Sequence, residues 1–315
     1  MKNSIKSLMN YMLIASLLLL IVGCGKNAES KGTIRIGYQK NGTTLLLKDK
    51  GELEKALKEK GYKVEWSEFN TATSILEALN AKSIDFANAG DAPSVMALSK
   101  GMDFKYIASE PSAPDTEGIL VRGNSNIKTV ADLKGKKVAY NKASIAEYLL
   151  VQALKKEGLK IDDVESVILN PPDASVAFKN GEVDAWVVWD PYMTASAANG
   201  NRVIATSKGI VPYRSFYFAT ADILKKDEDV VKTVVKHIQS VGKSIDEDPS
   251  EAAQVLETNT GIKADTWITA LKKKSSNPQY MDQEAITDLT QQAKELKEIG
   301  LIDQEVKIAD YVWAP

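Results

Sequence analysis

Nine residues stand where a chain of alternating strands and helices presents donors to a small solute: Gln39, Gly90, Asp91, Glu110, Lys142, Ser144, Glu147, Trp189 and Asp190. Gln39 follows the alternating run Thr33–Tyr38 and offers an amide donor. Gly90-Asp91 ends the run Ile84–Ala89 and opens a helical pattern with Pro93 in its first turn. A helix N-terminus carries unpaired N–H groups and a partial positive charge, which suit a small anion. Asp91 also reads as the cap of its own helix. Ser144 and Glu147 stand at capping-box spacing, so the Glu147 carboxylate either folds back on its helix or meets a ligand amine. Trp189 ends an apolar strand, where it stacks on an alkyl tail or packs in the core. Asp190 reads as a turn or hinge residue before Pro191. Lys142 draws in anions or is simply solvated, and Glu110, beside Pro111, holds a partner in a loop.

Covalent chemistry is not in view. The chain has one histidine, His237, inside the helical run Val230–Ile245, and one cysteine, Cys24. The usual nucleophile–histidine pairs and common zinc sites cannot be built from them. No catalytic residue, metal or cofactor is expected. The run Lys272-Lys273-Lys274 reads as a solvated face.

The elements that must position these residues alternate along the chain. Strands are expected at Thr33–Tyr38, Tyr62–Trp66, Ile84–Ala89, Phe104–Ser109 and Gly118–Val121. The pattern then restarts, with strands at Lys137–Tyr140, Val167–Leu169, Ala185–Trp189 and Ser215–Ala219. Helical patterns fill the gaps, one of them beginning near Ser74, whose spacing to Glu77 suggests a capping box. Pro171-Pro172 is expected to end a strand. From about Asp227 the chain is mostly helical. Alternation of this kind argues a parallel or mixed α/β sheet. Two such units suggest two lobes with a cleft, and ligands in open α/β sheets sit beyond the carboxyl ends of strands. The loops that meet this description are 39–43, 90–91, 109–111, 141–144 and 189–192.

The N-terminus has its own signature. Lys2 and Lys6 precede an apolar run from Tyr11 to Val22, shorter than the ~20 residues of a spanning helix. A basic start, a short apolar core and small residues at the cut describe an export signal. Cys24 directly follows Gly23, and this arrangement resembles the lipobox of bacterial lipoproteins, in which the cysteine is acylated and becomes the new N-terminus. Two or more acyl chains hold a protein stably on a membrane. The chain is 315 residues long, 44% hydrophobic and 26% charged, with a net charge of −2 that loss of Lys2 and Lys6 makes more negative. That balance fits a globular protein of two lobes without a disulfide and gives no basic excess for nucleic acid.

The runs Tyr38-Gln39-Lys40, Gly90-Asp91-Ala92-Pro93 and Glu110-Pro111 resemble the alkanesulfonate-binding proteins of bacterial ABC importers. So do Thr129–Val138 and Asp184–Tyr192, in order and with few gaps. The resemblance implies an α/β chain of the type II periplasmic-binding-protein fold, with two lobes joined by a two-crossing hinge and a helical C-terminal segment. With the crossings near Val121 and Ser215, residues 33–121 and 216–315 form the first lobe and 122–215 the second, after a signal peptide (1–23) and a tether (24–32). The family implies a monomer that binds a small anionic or zwitterionic solute and hands it to an ABC permease and its ATPase. It would act outside the cytoplasm, touching the membrane through its lipid anchor alone.

One loop departs from the pattern. Sulfonate binders carry glycine, several serines and a histidine near the anion, whereas this chain reads Lys142-Ala143-Ser144-Ile145-Ala146-Glu147-Tyr148. Glu147 stands where the histidine is expected. The leading cargo is a small aliphatic sulfonate. A taurine-like zwitterion, nitrate or a pyrimidine stays open, as does an enzyme on the same fold or an adhesive lipoprotein.

Overall fold

Parallel strands in two separate sheets aim their carboxyl ends at a shared cleft in a computed structural model, which describes residues 31–315. The export signal, Cys24 and most of the tether lie outside the described residues. The first sheet has six strands: β1 (Gly32–Tyr38), β2 (Tyr62–Glu68), β3 (Phe86–Gly90), β4 (Lys105–Ser109), β10 (Ser215–Ala219) and β11 (Gln279–Tyr280), in the order β11-β4-β10-β3-β1-β2. The second has five: β5 (Glu117–Val121), β6 (Lys137–Tyr140), β7 (Glu165–Ile168), β8 (Ala185–Trp189) and β9 (Arg202–Thr206), in the order β7-β6-β8-β5-β9. β1 runs parallel to β2 and β3, and β6 runs parallel to β7 and β8.

Each sheet receives one strand directly from the other lobe, and both newcomers are antiparallel to their neighbours. β10 pairs with β3 starting at Ser215↔Gly90, and β5 pairs with β8 starting at Glu117↔Trp189. The geometry requires this. A chain that crosses at the cleft enters the new sheet at the carboxyl ends of its parallel strands and must run the other way.

This pairing corrects the lobe boundary. Sequence reasoning places Gly118–Val121 in the first lobe, but β5 is hydrogen-bonded between β8 and β9 of the second sheet. The first crossing therefore lies between Ser109 and Glu117, and the second between Thr206 and Ser215. The run Gly118–Val121 is buried throughout and carries no local mark of the sheet it joins.

Helices cover the sheets: α1 (Gly42–Lys50), α2 (Glu52–Glu59), α3 (Ala72–Asn80), α4 (Asp91–Ser99), α5 (Ile145–Lys156), α6 (Pro171–Asn180), α7 (Tyr192–Ala198), α8 (Ala221–Lys226), α9 (Glu228–Glu247), α10 (Ser250–Thr260), α11 (Ala264–Leu271) and α12 (Gln283–Glu298). Local chemistry explains their starts. Thr71, not Ser74, caps α3, its hydroxyl accepting from the Ser74 N–H at 3.2 Å. Asn170 caps α6 and Pro171-Pro172 occupy its first turn, so the prolines open a helix rather than end a strand. Along α9, Val230, Val231, Val234, Val235, Ile238, Val241 and Ile245 form one buried stripe against the first lobe.

Gly242 on that stripe is where the chain after α11 presses closest. A methyl group there would lie 2.1 Å from the Ser276 carbonyl oxygen and 2.7 Å from the Asn277 Cα. Only hydrogen allows the approach, which also holds the segment following α11 in place. Gly242→Ala is expected to destabilise the protein by about 1–3 kcal/mol, the typical cost of overpacking. Urea unfolding checks this, and an unchanged midpoint would show that the segment is free to move away.

Candidate functional site

Five helices begin at the cleft. A cavity of about 120 Å³ between the lobes is lined by Asn41 and Gly42 at the start of α1, Thr71 and Ala72 at α3, Gly90 before α4, Ser144 and Ile145 at α5, and Pro171 at α6. Each of these helices follows a parallel strand, so the sheet topology gathers their N-termini at one place. α1 and α4 have no side-chain cap. The first-turn N–H groups of α1 are suited to receive the oxygens of a bound anion, whereas in α4 the Asp91 and Ala92 N–H groups already donate to the Arg214 carbonyl and to Asp91 Oδ1, and Pro93 has none.

The other donors are neutral. Gln39, Asn88 and Asn141 contribute amides, and Thr116 and Ser215 contribute hydroxyls. Asn88 Oδ1 accepts from the Thr44 hydroxyl at 3.1 Å, which leaves its amide N–H groups without an acceptor among the described residues. Trp189, Trp267, Ile145, Ala270 and Leu271 supply apolar wall. The cavity thus offers polar groups for a head and carbon surface for a tail, as small-molecule sites commonly do.

Among the described residues two carboxylates line the cavity, and both are engaged. Glu110, 3% exposed, accepts from the Tyr217 hydroxyl at 2.9 Å and the Thr43 hydroxyl at 3.4 Å, and its second oxygen is paired with Lys274. Asp190 accepts from the backbone N–H and hydroxyl of Thr194 at 2.8 and 2.7 Å, and its other oxygen pairs with Lys273 at 3.0 Å. The expectation that residues 272–274 form a solvated face is corrected for Lys273 and Lys274, which reach the walls of the cleft.

Six of the nine residues singled out from sequence line the cavity: Gln39, Gly90, Glu110, Ser144, Trp189 and Asp190. Asp91, Lys142 and Glu147 do not. Asp91 is buried and turned to the hinge, one oxygen accepting from the Ala92 N–H at 2.7 Å and the other from the Arg214 N–H at 2.9 Å. Lys142 is exposed. Glu147 folds back on the start of its own helix, accepting from the Ala143 N–H at 2.7 Å, while Ser144 caps α5 through the Ala146 N–H at 3.1 Å. Burial raises the Glu147 pKa against the pull of that N–H and of Lys142 and Lys100. Its charge thus serves the helix terminus and does not reach the cavity.

The hinge behind the cavity holds further buried ionisable groups. Arg214, on the second crossing, is 4% exposed and donates to Asp288 at 2.7 Å and Glu284 at 2.6 Å on α12. Glu117, fully buried at the start of β5, accepts from the Ser207 hydroxyl at 2.9 Å and so joins the two crossings. Its other oxygen has no hydrogen-bond partner among the described residues. Among the described residues, no group of three or more His, Cys, Asp or Glu could hold a metal ion.

Comparison with known proteins gives the family. A family model described as NMT1/THI5 like matches residues 57–252. A relative in Escherichia coli (strain K12), named for binding aliphatic sulfonates, is 35% identical over 290 residues, 91% of this chain and 90% of its own length. The crystal structure of the periplasmic aliphatic sulphonate binding protein SsuA from Escherichia coli superposes with a TM-score of 0.82 at 35% identity, covering 90% of this chain and 92% of that one. The alkanesulfonate-binding protein SsuA from Xanthomonas axonopodis pv. citri, bound to MOPS, gives a TM-score of 0.83 at 31% identity, over 91% and 99% of the two chains.

The chain belongs to the aliphatic sulfonate-binding proteins of the NMT1/THI5-like family. Its fold is that of the periplasmic binding proteins. The desulfurization enzyme DSZB shares that fold at 14% identity, a likeness of architecture alone.

Sequence reasoning missed Asn88, Asn70, Thr71, Trp267, Lys273, Lys274 and Arg214. The start of α3 follows β2 just as α1 follows β1, so the strand-end rule could have found Asn70 and Thr71 had the start of α3 been placed correctly. The other five carry no such local signal.

The hinge acids make stability depend on pH. Burial raises the Glu117 carboxyl from its ordinary 4.5 to about 8 and the Asp91 carboxyl from 3.8 to about 7. Between the ordinary and the raised values the folded chain holds protons that the unfolded chain has lost, so stability falls as pH rises through that window and levels off above it. Wild-type protein is therefore expected to lose stability from about pH 5 to about pH 8, and Glu117→Gln to lose less over the same range. Parallel urea midpoints across pH for the two proteins would overturn this assignment.

Proposed function

We propose that this protein is the extracytoplasmic, lipid-anchored binding component of an ABC importer, capturing a small aliphatic sulfonate between its lobes and delivering it to a permease driven by an ATPase. The observation that carries the reading is the meeting of five helix N-termini in a cavity whose two carboxylates are both neutralised by lysines. Such a site attracts an anion and repels none. The relatives that match more than half of this chain at 30% identity or more, among them a taurine-binding periplasmic protein of Escherichia coli that matches 57% of this chain, are named as binding proteins, which supports transport over catalysis.

An alkanesulfonate fits better than a zwitterion. The ammonium of a taurine-like solute needs a free carboxylate, and each carboxylate on the cavity wall already holds its own partners. Glu147, the acid that would have served, is spent on Ala143. Three sulfonate oxygens can accept several donors at about 1.5–3 kcal/mol each, enough after desolvation and ordering for micromolar binding near −8 kcal/mol.

Titration of the intrinsic tryptophan fluorescence with alkanesulfonates is expected to give micromolar dissociation constants, with taurine weaker. Trp189→Ala is expected to weaken binding about tenfold by removing buried apolar surface. No response to any sulfonate at millimolar concentration would reject the cargo. For the anchor, metabolic labelling with a palmitate analogue is expected to mark the wild-type protein, and Cys24→Ala to abolish the label and release the protein from membranes. Labelling that survives the substitution would refute acylation at Cys24.

A further inference from the structure

We infer that Lys273 is a closure residue, a lysine fixed to the first lobe whose ammonium ties the second lobe shut over the cavity. This rests on the binding-protein reading above and assigns the residue that sets how long the cleft stays closed.

The first half of the argument is where Lys273 is rooted. It follows α11, whose Trp267 and Leu271 pack in the same core as Ile34 and Ile36 of β1. The residues after it are pinned to the first lobe at several points. Lys274 pairs with Glu110, the Thr43 hydroxyl donates to the Ser276 carbonyl at 3.3 Å, and Asp246 of α9 accepts from the Ser276 N–H at 2.7 Å and the Ser275 hydroxyl at 2.5 Å. The bare backbone at Gly242 lets this segment lie against α9. The lysine is therefore carried on a rigid mount.

The second half is what its ammonium reaches. Lys273 Nζ donates to Asp190 Oδ2 at 3.0 Å and to Thr194 Oγ1 at 2.6 Å. Both belong to the second lobe, Asp190 at the end of β8 and Thr194 on α7, beside Met193 in that lobe's own core. The Asp190 N–H donates to the Thr116 carbonyl at 2.7 Å, so the acid is also tied to the end of the first crossing. Burial separates this pair from another ion pair that joins a second-lobe residue to the C-terminal helices. The Lys155–Glu298 side chains are 56% and 64% exposed at 3.8 Å, whereas those of Lys273 and Asp190 are 28% and 8% exposed. An exposed pair contributes little, while a desolvated charged hydrogen bond resists opening. Separating the lobes by hinge rotation must break the Lys273 contacts before solute can leave.

A closing contact raises apparent affinity by raising the population of the closed state, and it acts with or without solute. The test has two arms. Small-angle scattering of the ligand-free protein is expected to show a larger radius of gyration for Lys273→Met than for wild type, with Lys273→Arg restoring the wild-type value. Stopped-flow tryptophan fluorescence is expected to show an alkanesulfonate leaving Lys273→Met about tenfold faster, and Lys273→Arg close to wild type. The methionine variant also leaves Asp190 unpaired at the cavity wall, where its charge repels an anion. Faster release with unchanged ligand-free scattering would therefore assign the effect to that repulsion and overturn the closure role. Unchanged release would overturn it as well. If no sulfonate binds, the cargo reading fails, and the ligand-free scattering decides the closure residue alone.

Discussion

The structure depends on one constraint: both sheets direct the carboxyl ends of their parallel strands at the same gap. A helix that follows such a strand must begin there, and its first N–H groups have no partner within the helix. The two crossing strands make the arrangement consistent. Because the chain changes lobes at the gap, β5 and β10 enter their sheets from that side and run antiparallel. The hinge, the cavity and the donor-rich floor are three results of one topology.

Charge in the cleft follows from that constraint. Partial positive charge from five helix starts would hold carboxylates strongly, so any free acid on the wall would compete with an anionic solute. Here each one is occupied. Glu110 and Asp190 are matched with Lys274 and Lys273, and Glu147 is drawn to the start of its own helix. What remains for a solute are backbone N–H groups, neutral amides and aromatic surface, a set that recognises a weakly hydrated anion with a carbon tail.

Several features were legible from residue order because they are local. Strand alternation at Thr33–Tyr38 and the apolar run Ala185–Trp189 mark their elements directly. Gln39, Gly90, Ser144 and Trp189 reach the cavity because the end of a strand and the start of a helix are both visible in a short window. Other features were not legible. Nothing in Gly118–Val121 says which sheet accepts it, since an apolar strand satisfies either core. Lys273 and Lys274 look like any charged run at the end of a helix. Their acids lie 83 and 164 residues away in sequence.

The sequence by itself determined the class of fold, the kinship with aliphatic sulfonate-binding proteins and most of the helix starts that face the solute, because these depend on periodicity, capping chemistry and motifs held within a few residues. Only the tertiary structure decided which acids are neutralised, that Asp91 bolts the hinge instead of the ligand, and that a lysine of one lobe grips the other. Charge pairing between distant segments depends on distance in space, and burial sets its strength; neither quantity exists until the lobes have folded and met.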